Sequence, residues 1–190
     1  MMDLDITELF GDVVTRLSAG LEILYPNGKG RTKVVKSPKL NYIFGSSQYI
    51  KDILDEYSKS LGQSEKKFPL VALFTPINED RSDPDCFSKT KVSLIIACSS
   101  CKEWSNEERR TTSFKNILRP IYNRLFDVLL EDNRFDWDFD DKIKHSYSEN
   151  YSYGRYGAYT ENGEAVSEPI DAINIRSMEI IVRNSNCRRK

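Results

Sequence analysis

Apolar positions along this chain switch between two spacings, and the switches mark out its elements. Ile6, Leu9, Phe10, Val13, Val14 and Leu17 recur at intervals of three and four, which predicts a helix from about Asp5 to Ala19. Asp5 or Thr7 is placed to cap it and Gly20 to stop it. Leu21–Tyr25 and Arg31–Val35 then flank Pro26-Asn27-Gly28-Lys29-Gly30, and Asn-Gly between short β-prone runs predicts a hairpin. A short apolar segment, Leu40–Phe44, ends at Gly45. Ser46 or Ser47 caps a second helix, from about Gln48 to Leu61, with Ile50, Ile53, Leu54 and Tyr57 inward and Gly62 as its stop. Phe68–Phe74 is almost continuously apolar, as in a strand covered on both faces, and Pro76 ends it. Asn78–Asp85 reads as a polar turn, and Thr90–Cys98 as a matching buried strand.

The longest periodic stretch comes next. Ser105 and Glu108 have the spacing of a capping box. Phe114, Ile117, Leu118, Ile121, Tyr122, Leu125, Phe126 and Leu129 continue one helical stripe, a core face rather than a cofactor site. Pro120 lies inside that stripe and should kink the helix or split it. Beyond Leu130, acids interleave with Phe135, Trp137 and Phe139, and a Tyr-rich segment follows from His145 to Tyr159. Gly154, Gly157 and the turn Glu161-Asn162-Gly163-Glu164 predict a long hairpin or arm. Ala172–Val182 reads as a final strand, with a bulge near Ser177. The basic tail Arg188-Arg189-Lys190 is expected to fray.

Together these elements predict an α+β fold: a small mixed sheet packed against two or three helices, with extended hairpin arms. One domain over residues 1–190 is expected, with a basic arm near 21–39 and an acidic, Tyr-rich arm near 132–168. Charged residues make up 30% of the chain, yet the net charge is −1, so no global field draws it to nucleic acid or an anionic membrane. Ten Tyr and nine Phe suit contact surfaces as well as a core. No apolar run approaches the roughly 20 residues that span a bilayer. The acidic start, Met1-Met2-Asp3-Leu4-Asp5, lacks a secretory apolar region, which predicts a soluble protein made in a reducing cytoplasm.

Candidate chemistry is thin. Cys98 and Cys101 form a C-x-x-C, but a zinc site needs a second ligand pair, and Cys86, Cys187 and His145 lack partner spacing. A redox C-x-x-C opens a helix, whereas Cys98 closes an apolar run, so incidental thiols are the expectation. Asp138, Asp140 and Asp141 have neither Ca²⁺-loop spacing nor a His partner. Alternating with aromatics in an extended segment, they suit an edge strand or a partner contact better than a metal. His145 has no nucleophile elbow beside it, and Gly28-x-Gly30 is too short for a phosphate loop. The expectation is a protein without enzymatic activity, cofactor or metal.

The ordered pieces Leu40-Asn-Tyr-Ile-Phe-Gly45, Tyr49–Leu54, Phe68–Phe74, Lys91–Ala97, the helix around Phe114–Tyr122, and Asp171–Ile175 resemble a family of tailed-phage neck proteins. The chain is similar to the tail-terminator-like and head-to-tail connector ring proteins of phages of gut Bacteroidales, including crAss-like phages. The similarity covers roughly residues 40–130 and the final strand. It implies a virion protein assembled in the host cytoplasm, its protomers closed into a ring of six or twelve around the DNA exit channel. The implied partners are copies of itself and adjacent portal, connector or tail proteins, with DNA passing through unread and no membrane. The family carries no catalytic residues to transfer.

Ring closure requires a heterologous interface, and the two arms offer opposite charges for one. The candidate interface residues are Lys29, Arg31 and Lys33 on the basic hairpin, Asp136, Trp137 and Asp138 on the acidic segment, and Tyr153, Arg155 and Tyr156 on the Tyr-rich arm. The competing expectation is a non-enzymatic adaptor that binds a phage or host protein through the Tyr-rich arm. A third is a zinc or thiol module at Cys98 and Cys101.

Overall fold

A computed structural model describes residues 5–27, 31–59, 67–82, 87–137, 142–153 and 169–183, together with all side chains there except those of residues 57–59 and 152–153. The expected stop at Gly62, the acids Asp138, Asp140 and Asp141, the turn at 161–164 and the basic tail lie outside these residues.

The fold is mixed α+β, and β6 and β9 form its centre. In chain order the elements are α1 (Ile6–Leu17), β1 (Glu22–Pro26), β2 (Thr32–Lys36), β3 (Asn41–Ser46), α2 (Ser47–Lys59), β4 (Leu70–Thr75), β5 (Glu79–Asp80) and β6 (Phe87–Ser99). A long helix, α3, follows in three contiguous parts, Asn106–Arg109, Arg110–Leu118 and Arg119–Glu131. β7 (Phe135–Asp136), β8 (Ser146–Tyr153) and β9 (Ile170–Arg183) complete the fold. β1 and β2 form an antiparallel ribbon of their own. The main sheet runs β3-β4-β6-β9, with β5 beside β6, and with β7 and β8 both beside β9. β3 and β4 are parallel, and every other pair is antiparallel.

Helices cover both faces of this sheet, which is why β4 and β6 read as continuous apolar runs. Val71, Leu73, Leu94, Ile96, Ile173 and Ile175 point to the side of α1 and α3. Leu70, Ala72, Ile95, Ala97, Ile170 and Ala172 point to α2, where Ile50 and Leu54 close the second core. The α2 side is lined by three alanines, so the helix sits close to the strands there. The expected bulge is present. Val92 pairs with Met178 and Leu94 with Ile175, leaving one extra residue on β9, and Ser177 adopts φ +51°. Gly20, with φ +76°, follows α1 in the left-handed region that a non-glycine residue enters at a cost.

α1 is capped by Asp5, whose carboxylate accepts the Thr7 N–H at 3.2 Å. Ser46 Oγ accepts the Tyr49 N–H at 3.2 Å at the start of α2. The Ser105/Glu108 capping box forms as expected. Pro120 does not end α3. The turns at Arg110–Leu118 are π-helical, with Arg119 N–H bonded to Phe114 O, and Pro120 sits in the first turn of the following α segment. A wider turn there leaves room for the ring and asks no donor of the imide.

The acidic segment after α3 departs from expectation at its start. Asp132 is not part of an outward arm; it is buried, and it ties α1 to the end of α3 by an ion pair with Arg16 and hydrogen bonds from Arg134. Arg134 also reaches Asp12 of α1 at 3.0 Å. Burial opposes ionisation of Asp132, but hydrogen bonds from the Arg134 side chain and backbone, with the charges of Arg134 and Arg16, outweigh it and hold the carboxyl below its ordinary value. Phe135 is buried against Phe10, and β7 lies along β9.

Two outcomes follow for stability. Leu125 is fully buried, so Leu125→Ala is expected to cost about 2–5 kcal/mol in urea unfolding, and Leu118→Asp to yield no cooperative transition. Cooperative unfolding of the Leu118→Asp variant near the wild-type midpoint would misplace the core. Because the folded Asp132 carboxyl titrates below its unfolded value of about 3.9, its contribution is complete above that value and is lost as pH falls through the lowered one. Asp132→Asn should cost roughly 1–3 kcal/mol at pH 7 and flatten the acid limb of the stability curve.

Candidate partner-binding surfaces

The β1–β2 hairpin is half anchored and half exposed. Ile23 is fully buried, with Tyr25 and Val35 packed against the same core, while Val34 on the opposite face is 50% exposed. Arg31 and Lys33 are exposed beside it. Lys36 pairs with Glu22 across the ribbon at 2.9 Å, and that hydrogen bond and charge raise its pKa. Such an exposed pair adds little stability. Lys29 lies outside the described residues.

Where the hairpin meets the end of β6 and the start of α3 there is a cleft of about 530 Å³. Tyr25, Phe68 and Trp104 give it apolar walls, and Lys33 and Lys39 give it a basic lip. Ser100 lines it, and the Ser100 hydroxyl, although buried, meets no hydrogen-bond partner among the described residues. Beneath the cleft, Arg109 Nη1 stands 3.5 Å from Asp171 Oδ1, both side chains almost wholly enclosed. Such a pair fixes how α3 sits on β9 more than it adds stability, since desolvation offsets much of the attraction.

Cys98 lies directly opposite Asp171 in the β6–β9 register. Burial, and then the Asp171 charge, push its thiol far above the ordinary value. Cys101 is half-buried and donates to Glu103 Oε2 at 2.8 Å. The two do not form a shared site with further ligands: among the described residues no three His, Cys, Asp or Glu side chains are grouped as a metal would require.

At the other end of β6, a groove of about 710 Å³ holds Asp136 and Trp137. Trp137 stacks on Phe135 at 5.7 Å and donates its indole N–H to Leu129 O at 3.2 Å, so much of this side chain is engaged by its own fold. Asp136 lies 4.0 Å from Arg183, and Lys91 is paired with Glu179 at 2.8 Å. Lys142 and Lys144 line the same groove, which therefore carries both signs of charge. Lys89 and Ser99 mark the two ends, ten residues apart on β6, or roughly 33 Å at strand rise. Among the described residues, Arg31 and Lys33 of the hairpin and Asp136 and Trp137 of the acidic segment thus stand toward opposite ends of β6.

The Tyr-rich segment contributes a strand in its described part. Tyr151 packs on Phe114 at 4.4 Å, Tyr147 on Tyr122 at 5.0 Å, and Glu149 takes two hydrogen bonds from Arg119, at 2.7 and 3.1 Å. His145 is held the same way. Its Nδ1–H donates to Ile143 O at 2.7 Å, which in the neutral ring leaves Nε2 to accept from the Tyr122 hydroxyl at 2.6 Å. Tyr153 pairs with Ile170 at the end of β8, while Asp138, Arg155 and Tyr156 lie outside the described residues. Sequence reading missed this arrangement, although Tyr147, Glu149 and Tyr151 alternate at strand spacing.

Enclosure should make Cys98 inert. In native protein at pH 8 an aromatic disulfide reagent is expected to titrate the same number of fast thiols in wild type and Cys98→Ser, the difference emerging only after unfolding. Loss of one fast thiol in the variant would place Cys98 in reach of solvent.

No protein-family model matches the chain, and no curated protein sequence matches it significantly.

Proposed function

We propose that this protein is a structural ring subunit of the tailed-phage neck, extending the DNA channel between portal and tail and acting through contacts with sister subunits and neighbouring rings. The observation that supports this most is the β1–β2 hairpin, which is held rigid by Ile23 yet turns Val34, Arg31 and Lys33 to solvent. An anchored ribbon with an apolar centre and a basic margin is suited to docking on another subunit, because its ordering cost is met within the protomer. The cleft beside it, with Lys33 and Lys39 at its lip, extends that surface. Separation of the hairpin from Asp136 and Trp137 along β6 gives each copy two distinct ends, as stacked rings require.

In the adaptor reading, Tyr147 and Tyr151 already pack against α3 within the same chain, so the partner contact would fall to the part of the Tyr-rich segment beyond Tyr151.

Light scattering and negative-stain images of the purified full chain test the proposal. Closed particles of six or twelve copies with a central channel are expected, and a monomer at every concentration would overturn it. Arg31→Glu with Lys33→Glu should leave the unfolding midpoint unchanged and weaken association, with itself or with the adjacent neck protein, about tenfold or more. Unaltered association would remove the hairpin from the interface.

A further inference from the structure

Among the described residues, both outer margins of the main sheet are only sparsely guarded against pairing. Natural edge strands are blunted by charge, proline, bulges or a covering element. β3 reads Asn41-Tyr42-Ile43-Phe44-Gly45-Ser46, without charge, proline or bulge, in a chain where 30% of residues are charged. No strand lies beyond it among the described residues. The Asn41 N–H donates to Pro69 O on the β4 side, so alternation along the strand turns the backbone groups of Tyr42 and Phe44 outward. Phe44 and Tyr49 are each 50% exposed along this margin, and Tyr49 lies over Gly45, where an added Cβ would meet its ring at 2.5 Å.

Among the described residues the opposite margin is β8, in regular register from Ser146 to Asn150, with one irregularity between Asn150 and Tyr153. Its single charge, Glu149, is taken up by Arg119 within the protomer. Lys144 O accepts the Glu179 N–H, so the same alternation turns the backbone groups of Tyr147 and Glu149 outward. By contrast β2, the exposed strand of the hairpin, carries Lys33 and Lys36.

Strand directions decide what fits between these margins. β3 runs with β4, β4 against β6, β6 against β9 and β9 against β8, so β3 and β8 run in opposite senses. Copies related by rotation about an axis along the strands would set β3 of one antiparallel to β8 of the next. That ladder is the more stable kind, and it buries no unpaired charge. Two different margins meeting head to tail is the heterologous contact that closes into rings.

We infer that copies of this chain join by β3 of one protomer pairing antiparallel with β8 of the next, making one sheet continuous around the assembly. This rests on the ring reading and names its lateral contact.

Native mass spectrometry of the full chain and two variants tests it. Phe44→Pro removes an outward donor from β3 without touching the β4 ladder, and Phe44→Lys is a second form should the proline variant not fold. Ser146→Lys with Ser148→Lys guards β8 at exposed positions. Each variant alone is expected to be a folded monomer under conditions where wild type is a closed oligomer. Mixed in equal amounts they should form a dimer with one copy of each, because each retains the margin the other lacks. Folded variants that assemble like wild type would overturn the edge pairing and leave the ring reading standing. A mixture that stays monomeric, or a β8 variant that still dimerises with itself, would also overturn it. Wild-type protein that never associates would remove the ring reading and the pairing together.

Discussion

The antiparallel pairing of β6 with β9 sets the position of everything else. These strands, of 13 and 14 residues, run side by side from Phe87–Arg183 to Ser99–Ile170; β4, β5, β7 and β8 each pair with one of them, and β3 is added through β4. Both faces are buried along much of their length, so a slip of one residue would exchange the α1–α3 core for the α2 core and expose neither correctly. The bulge at Ser177 absorbs the one place where the register must change. At the far end, Asp171 on β9 meets Arg109 on α3, and a misplaced helix would leave a charge enclosed alone.

Among the described residues, the sheet margins and the two strand ends offer surfaces to other molecules. That division suits a ring subunit: margins for lateral neighbours, ends for what lies above and below. The hairpin cleft occupies one end and the groove at Asp136 and Trp137 the other. Among the described residues the second carries both signs of charge, with Lys89, Lys91, Lys142 and Lys144 lining it beside Asp136 and Glu179.

Local periodicity made α1, α3, the hairpin, β4, β6 and the Ser177 bulge legible, since each buries a face through near neighbours in sequence. β8 was not legible in the same way. Tyr147, Glu149 and Tyr151 look like a polar arm until α3 supplies Tyr122, Arg119 and Phe114 to receive them, and that pairing is nonlocal. The same holds for Asp132 and Arg109, charged residues whose burial depends on Arg16 and Asp171, far along the chain. The kink or split expected at Pro120 takes the form of a change of helix type, since π turns over Arg110–Leu118 give way to an α segment beginning at Arg119. As for the site, Arg31 and Lys33 lie exposed as the sequence implied, while Trp137 is largely engaged in its own fold and the cleft beside Ser100 carried no sequence signal.

An electron cryo-microscopy reconstruction of the assembled particle bears most directly on whether the molecule acts by closing its sheet onto sister copies. The account predicts density in which β3 lies about 4.8 Å from a neighbour's β8, the spacing of hydrogen-bonded strands. Subunits touching only through helical faces, or particles with no repeated ring of this chain, would contradict it.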